Sequence, residues 1–359
     1  MKHDLTRLAL KDIDRLRQLR LDEWDLLIRQ ARSADLLARL AVLCREAGLL
    51  EHIPAQPRMH FESALVVADA QDLAVRREVD HVRLALNAIG VTPILLKGGA
   101  YLMADLPAAQ GRLFSDLDIL VPHERIGEVE ATLMLNGWAT THHDPYDQRY
   151  YRQWMHELPP MLHIRRMTVL DVHHAIVPTT ADLKPDTAAL FAAAQPVPEQ
   201  PGIRVLAPTD MVLHSATHLF YNEEFSHGLR DMSDLDLLLR HFTQNETFWP
   251  ELLARARALG LTRPLHYCLR YCSSLFDTPI PAAVLAEAER SRGLAGSIIN
   301  QLWLKVLGST HPSARQPGTA LATFVLYLRA HWHRMPPALL VYHLCMKSLR
   351  PRPKKEAGA

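Results

Sequence analysis

Cysteine, net charge and long apolar runs are what this sequence has little of, and each shortage excludes something. Four cysteines in 359 residues (Cys44, Cys268, Cys272 and Cys345) are too few for a disulfide framework in a chain of this length, so a reducing compartment is expected. The 40 basic and 39 acidic side chains leave a formal net charge of +1. That balance excludes broad electrostatic capture of nucleic acid, although not a local basic patch. No apolar run reaches the ~18 residues of a membrane-crossing helix. The opening MKHDLTRLALKDIDRLRQLR is charged throughout and has no apolar centre of the signal-peptide kind, and the expected location is cytoplasmic. Internal repeats and low-complexity tracts are missing as well.

What is present is ordinary in bulk: 48% hydrophobic and 22% charged residues, the balance of a globular protein. The length allows two or three domains of roughly 100–200 residues each. Residues 1 to about 90 carry apolar side chains at three- and four-residue intervals, as in DEWDLLIRQARSADLLARLAVLCREAG, and read as helices with stops at Gly48 and Gly90. The pattern then changes. VTPILLKGG is a short strand ending in glycines, AYLMADLPAAQG a helical turn and loop, and LFSDLDILV a second strand. PHERIGEVEATLMLNGW is a helix ending at Asn136-Gly137, and MLHIRRMTVLDVHHAIV is two strands around a turn. Between those last two lies a stretch rich in aromatics and histidine, residues 141–160, read as a loop. The predicted organisation is a helical region over 1–78, an α/β core over 79–182, a proline-rich linker over 183–208, a helical domain over 209–348 and a basic disordered tail over 349–359. The fold class is α+β, a mixed sheet with helices flanked by helical regions.

The chemistry concentrates in GRLFSDLDILVP. Asp116 and Asp118 are two positions apart in a run that reads as a buried strand, so both side chains point to one face. Two carboxylates held side by side need an opposing charge, and a bound cation is the usual answer. Upstream, Gly98 and Gly99 let backbone N–H groups come close to a ligand, Lys97 adds a positive charge beside them, and Arg112 precedes the second strand, within reach of a phosphate oxygen. Taken singly these are weak signals: paired glycines usually make a turn, and Asp-x-Asp often ends a solvated strand. Together they outline a site for a nucleotide and Mg2+ (or Mn2+), because magnesium is held by a few carboxylates and substrate phosphates. A third acid suits a two-ion site, and TVLDVHHAI supplies Asp171 on a strand, with His173 on the same face.

Gly98-Gly99, Asp116-x-Asp118 and the later strand aspartate Asp171 resemble the nucleotidyltransferase fold shared with DNA polymerase β. More narrowly, LLKGGAYL, GRLFSDLDILVPHERIGEVEATLMLNGW, TVLDVHHAI, APTDMVLHSATHLF and LRDMSDLDLLL resemble a bacterial family named simply "nucleotidyltransferase family protein", over roughly residues 60–240. The resemblance implies a polymerase β-like core in which Asp116, Asp118 and Asp171 are catalytic metal ligands and Lys97, Gly98, Gly99, Arg112 and Ser115 bind the nucleotide. The implied activity is magnesium-dependent transfer of a nucleoside monophosphate from an NTP to an unidentified acceptor, a small molecule, sugar, peptide or protein, with release of pyrophosphate. One departure stands out: Ala100 follows Gly99 where the superfamily commonly has serine or threonine. It motivates a second reading, a non-catalytic nucleotide-binding or assembly protein that keeps the fold. The lysine before the glycines is similar to that of toxin nucleotidyltransferases, and a toxin acting on tRNA is a third reading, disfavoured by the near-neutral charge.

Further along, His214 and His218 share a helix face at i, i+4, as a cleft-lining pair or as packing. Asp234 and Asp236 repeat the Asp-x-Asp spelling among leucines that suit a helix, where i and i+2 diverge, so no second metal site is read there. Arg230 and Asp234, one turn apart, are expected to pair or to contact the acceptor. The aromatic 141–160 stretch could stack on a base, grip an acceptor or cover a core. Cys268 and Cys272 read as a packed helix face. PPALLVYHLCM and the basic residues after it read as a final helix and frayed tail, with peripheral membrane contact the weaker alternative.

Overall fold

The computed structural model describes residues 4–142, 144–198, 200–222, 224–291 and 296–348. Apolar spacing in the N-terminal third folds into the helices Leu5–Lys11, Leu21–Ser33, Leu37–Glu46 and the 33-residue Ala55–Asn87. Asp4 caps the first by accepting from the Arg7 amide. Trp24, Leu27, Leu40, Cys44 and Phe61 close a small core among these helices. The long helix runs through the 78/79 boundary expected from sequence, so one rigid rod joins the helical region to the sheet.

Seven strands form one mixed sheet: β1 (Ile94–Leu95), β2 (Leu117–Leu120), β3 (Trp138–Thr140), β4 (Met161–His163), β5 (Val169–His173), β6 (Gln195–Pro196) and β7 (Arg204–Val205). Their order is β3-β4-β5-β2-β1-β7-β6. β2 runs parallel to β5 and antiparallel to β1, and β1 runs parallel to β7. The mixed sheet and its helices make the chain α+β, as expected from sequence. Every residue of β2 is buried, which explains its nearly unbroken apolar spelling.

Residues 183–208, expected as a linker, instead supply the helix Thr187–Ala193 and two strands, with β7 paired to β1. Proline obscured them, because it cannot donate to a ladder and fits only at strand edges; Pro196 sits on the outermost strand, β6. The aromatic stretch expected as a loop folds from Pro145 to Trp154 into a helix, capped by the Asp144 side chain.

The helix Pro208–Tyr221 has Ala207 as its N-cap. Pro208 is preset for the first helical position. Asp210 is buried in the first turn, where it accepts from Arg255 at 2.6 and 2.7 Å. From there helices continue to Pro337–Ser348, and one continuous core runs from the sheet into them. Cys268 and Cys272 are buried in it on the helix Thr262–Phe276. No helix among the described residues is long and apolar enough to cross a membrane. The basic tail over 349–359 lies outside the described residues.

One buried ionic knot ties the parts together. Asp234, on the helix Gly228–Phe242, accepts from Arg39 Nη1 at 2.6 Å and from Arg112 Nε at 2.9 Å. Arg39 comes from the N-terminal helices and Arg112 from the loop before β2, and all three side chains are buried. Removing one partner of such a contact strands the rest without counter-charge. Asp234→Ala is therefore expected to lower stability by about 3–5 kcal/mol, read as a reduced urea midpoint.

Candidate active site

The site is built on the pairing of β2 with β5. Their parallel register sets Asp118 opposite Asp171 and Leu120 opposite His173. Asp116 immediately precedes β2, two positions from Asp118, and so shares its face. As a result a carboxylate oxygen from each of Asp116, Asp118 and Asp171 lies within 4.8 Å of those of the other two. Ser115 donates to Asp116 Oδ1 at 2.8 Å.

Lys97 occupies the bend between β1 and the helix Lys97–Met103. Its φ of 46° is left-handed, a region uncommon for a residue with a side chain. From there its ammonium donates to Asp118 Oδ1 at 2.8 Å. Gly98 and Gly99 do not end the strand but form the first turn of this helix, where both are buried. Packing accounts for both: a Cβ on Gly98 would meet Arg112 Cζ at 2.7 Å, and one on Gly99 would meet Leu117 Cδ1 at 2.6 Å. Ala100 is buried one residue on.

Charge is distributed unevenly over the three acids. Burial works against ionising Asp118, but the Lys97 ammonium and a 3.0 Å contact with His173 Nε2 outweigh it and hold the carboxyl well below the usual range. Burial and then the charge of Asp118 push Asp171 up to about 7. Its buried Oδ1 has no hydrogen-bond partner. Lys97 is kept charged because Asp118 and Asp116 overcome the cost of its burial.

These groups floor an open cleft of about 730 Å³. Tyr146, Tyr150 and Tyr151 of the helix Pro145–Trp154 line it, as do Tyr221, His227 and Arg230. Of the histidine pair, His218 lines the cleft while His214 lies buried, its ring centroid 6.5 Å from that of His218. Burial lowers both, His214 to about 3, so the pair is neutral. Arg112 and Asp234 reach the cleft wall engaged with each other. The expected Arg230–Asp234 pairing does not form: Arg230 contacts Asp231 at 3.1 Å and lies 3.9 Å from Asp35, because both oxygens of Asp234 already face Arg39 and Arg112. Reading the sequence missed Glu157, whose Oε2 lies 3.2 Å from His173 Nδ1. The only local hint was its place just ahead of a strand, in WMHELPP.

Three carboxylates around one point, one carrying a buried and unpartnered oxygen, are a donor set that suits a hard dication such as magnesium. A mixed sheet presenting such a set in an open cleft describes a protein that could hold a metal ion there. More particularly, the chain belongs to a family of nucleotidyltransferases: the family model described as "Uncharacterised nucleotidyltransferase" matches residues 21–277. No curated protein and no solved structure matches the chain.

The raised Asp171 carboxyl has a consequence for stability in ion-free buffer. Unfolded, the group ionises near 3.8; folded, near 7. Between those values the folded chain binds more protons, so stability falls as pH rises through the window. Asp171→Asn is expected to melt higher than the parent chain at pH 8. Its advantage should shrink as pH falls below 7 and vanish near pH 4, in thermal unfolding followed across that range.

Proposed function

We propose that the chain is a magnesium-dependent nucleotidyltransferase built on a polymerase β-like core, moving a nucleoside monophosphate from an NTP to an acceptor. The observation that carries the reading is the convergence of Asp116, Asp118 and Asp171 within 4.8 Å on the floor of a cleft large enough for a nucleotide. Asp116 and Asp118 would hold magnesium, and Asp171 would complete a second position. When bound, the metal screens phosphate charge and polarises the α-phosphoryl group.

The residues of the chain supply positioning and charge. Lys97 is kept protonated at the cleft floor and can shift from Asp118 to a phosphate oxygen, with Ser115 and the start of the helix at Gly98 and Gly99 beside it. An acceptor hydroxyl attacks the α-phosphorus. The new O–P bond forms as the bond to the pyrophosphate oxygen breaks, and the hydroxyl proton passes to Asp171 or through it to water. Orientation of the reacting groups and fixed charge lower the barrier. The tyrosines at 146, 150 and 151 give the cleft an aromatic wall on which a base or acceptor ring can lie. Arg112 is tied to Asp234 and acts mainly by fixing the part of the cleft lining that the two residues form.

Incubation with α-labelled NTPs, magnesium and cell extract should transfer label to an acceptor and release pyrophosphate. Asp118→Asn should cut the rate by roughly a hundredfold or more. Labelling unchanged in that variant, or neither binding nor turnover of any triphosphate, would sink the proposal. Nucleotide binding that is indifferent to magnesium and yields no turnover would favour the non-catalytic reading that Ala100 motivated.

A further inference from the structure

A second group of ligand-bearing side chains stands beside the three acids. An isolated antiparallel bridge sets Glu157 opposite His173, so their side chains share a face. His156 lies in the bend just before, tied to the same edge by the His174 amide donating to its carbonyl at 2.8 Å. One ligand atom from each of His156, Glu157 and His173 lies within 4.8 Å of the other two. The His156 and His173 rings are 5.2 Å apart and inclined at 37°.

One feature of this group lacks a purely structural explanation, and a second calls for positive charge. His156 Nδ1 is buried with no hydrogen-bond partner, an arrangement that is costly for a polar atom. His173 has a carboxylate oxygen at each ring nitrogen, Asp118 Oδ1 at 3.0 Å from Nε2 and Glu157 Oε2 at 3.2 Å from Nδ1. A doubly protonated imidazole donates to both, whereas a neutral one has a single N–H and can donate to only one of them. The positive charge that the two carboxylates call for is either a second ring proton or a cation in its place. A metal ion gives His156 Nδ1 the partner it lacks and takes the place of the second ring proton, held by that nitrogen, the Nδ1 of His173 and an oxygen of Glu157. His173 Nε2–H then donates to Asp118, giving the carboxylate–histidine–metal series by which proteins orient a ligand ring.

We propose that His156, Glu157 and His173 form a second cation site, distinct from the aspartates and selective for a transition-metal dication of the Zn2+ type. Two imidazoles and a carboxylate suit Zn2+ and its neighbours, whereas magnesium prefers oxygen. Three protein ligands leave a fourth position open, the ligand count of catalytic rather than structural zinc sites. All three residues line the cleft, so water or an acceptor oxygen would fill that place. The proposal does not depend on nucleotidyl transfer; it rests on the convergence of His156, Glu157 and His173 and on the unpartnered His156 Nδ1.

The test is calorimetric titration of the full chain with Zn2+ in excess magnesium, which occupies the oxygen-only site and leaves the imidazole site free. The parent chain should bind Zn2+, and Asp116→Asn should retain that binding. His156→Gln and Glu157→Gln should each weaken binding by roughly ten- to a hundredfold. Co2+ in place of Zn2+ should give visible ligand-field bands that His156→Gln loses. Glu157 is partly exposed, so its near-isosteric glutamine variant decides the matter if the histidine variant fails to fold. Unchanged Zn2+ affinity in Glu157→Gln, or loss of binding in Asp116→Asn with Glu157→Gln intact, would overturn the proposal.

Discussion

The register between β2 and β5 is the constraint from which the rest of the site follows. Parallel pairing places Asp118 directly across from Asp171, two like charges on neighbouring strands, an arrangement that on its own opposes the sheet. The opposite face of the pair offsets it: Leu117, Ile119, Leu170 and Val172 are all buried in the main core. Slipping by one residue to separate the acids would turn those side chains out to solvent. The repulsion is therefore locked in by hydrophobic packing, and the chain manages it by giving its positive charge to one acid only. Lys97 and His173 both face Asp118 Oδ1. Asp171 is left to carry the strain as a raised affinity for a proton, or for any cation that takes the proton's place.

A second constraint fixes the cleft around that pair. Arg112 passes so close to Gly98 that no Cβ fits there, continues to Asp234, and meets Arg39 across the same carboxylate. Glycine, arginine and aspartate thus form one packed unit joining the helix after β1, the loop before β2 and the C-terminal helices. The walls of the cleft cannot drift apart without exposing this charge. That rigidity matters because positioning depends on displacements smaller than a bond length or two.

Much of this was legible in the sequence wherever the signal is local. The two-residue spacing of Asp116 and Asp118 announces a shared face, and three- and four-residue apolar periods mark the long helices. MLHIRRMTVLDVHHAIV spells out β4, its turn and β5. What stayed hidden depends on partners far along the chain or on segments too short to show a period. The two-residue strands β6 and β7 carry no alternation, and prolines mask them. The helix Pro145–Trp154 is rich in tyrosine and arginine, and its aromatic content reads equally well as loop. Arg39 meets Asp234 across 195 positions, which nothing local encodes. Glu157 acquires meaning only when the bridge to His173 forms, and the glycines that look like a phosphate cradle in sequence are also demanded by Arg112 and Leu117.

Charge counting over the cleft floor connects the two halves of the site. Asp116, Asp118, Asp171 and Glu157 bring four carboxyl groups to one small region, against one fixed cation, Lys97, and one imidazole, His173, placed between Asp118 and Glu157. With every acid ionised, the deficit is two or three charges depending on the ring. Retaining a proton on Asp171 reduces it by one, in line with burial first and the neighbouring acids second pushing that carboxyl up to about 7. A divalent ion would offset two of those charges, and because Asp118 and Asp171 are largely buried, the attraction would be stronger than at a surface. The features that make the ion-free chain uneasy are thus those that would make ion binding favourable. Because His173 touches acids of both groups, an ion taken up on one side alters the charge felt on the other.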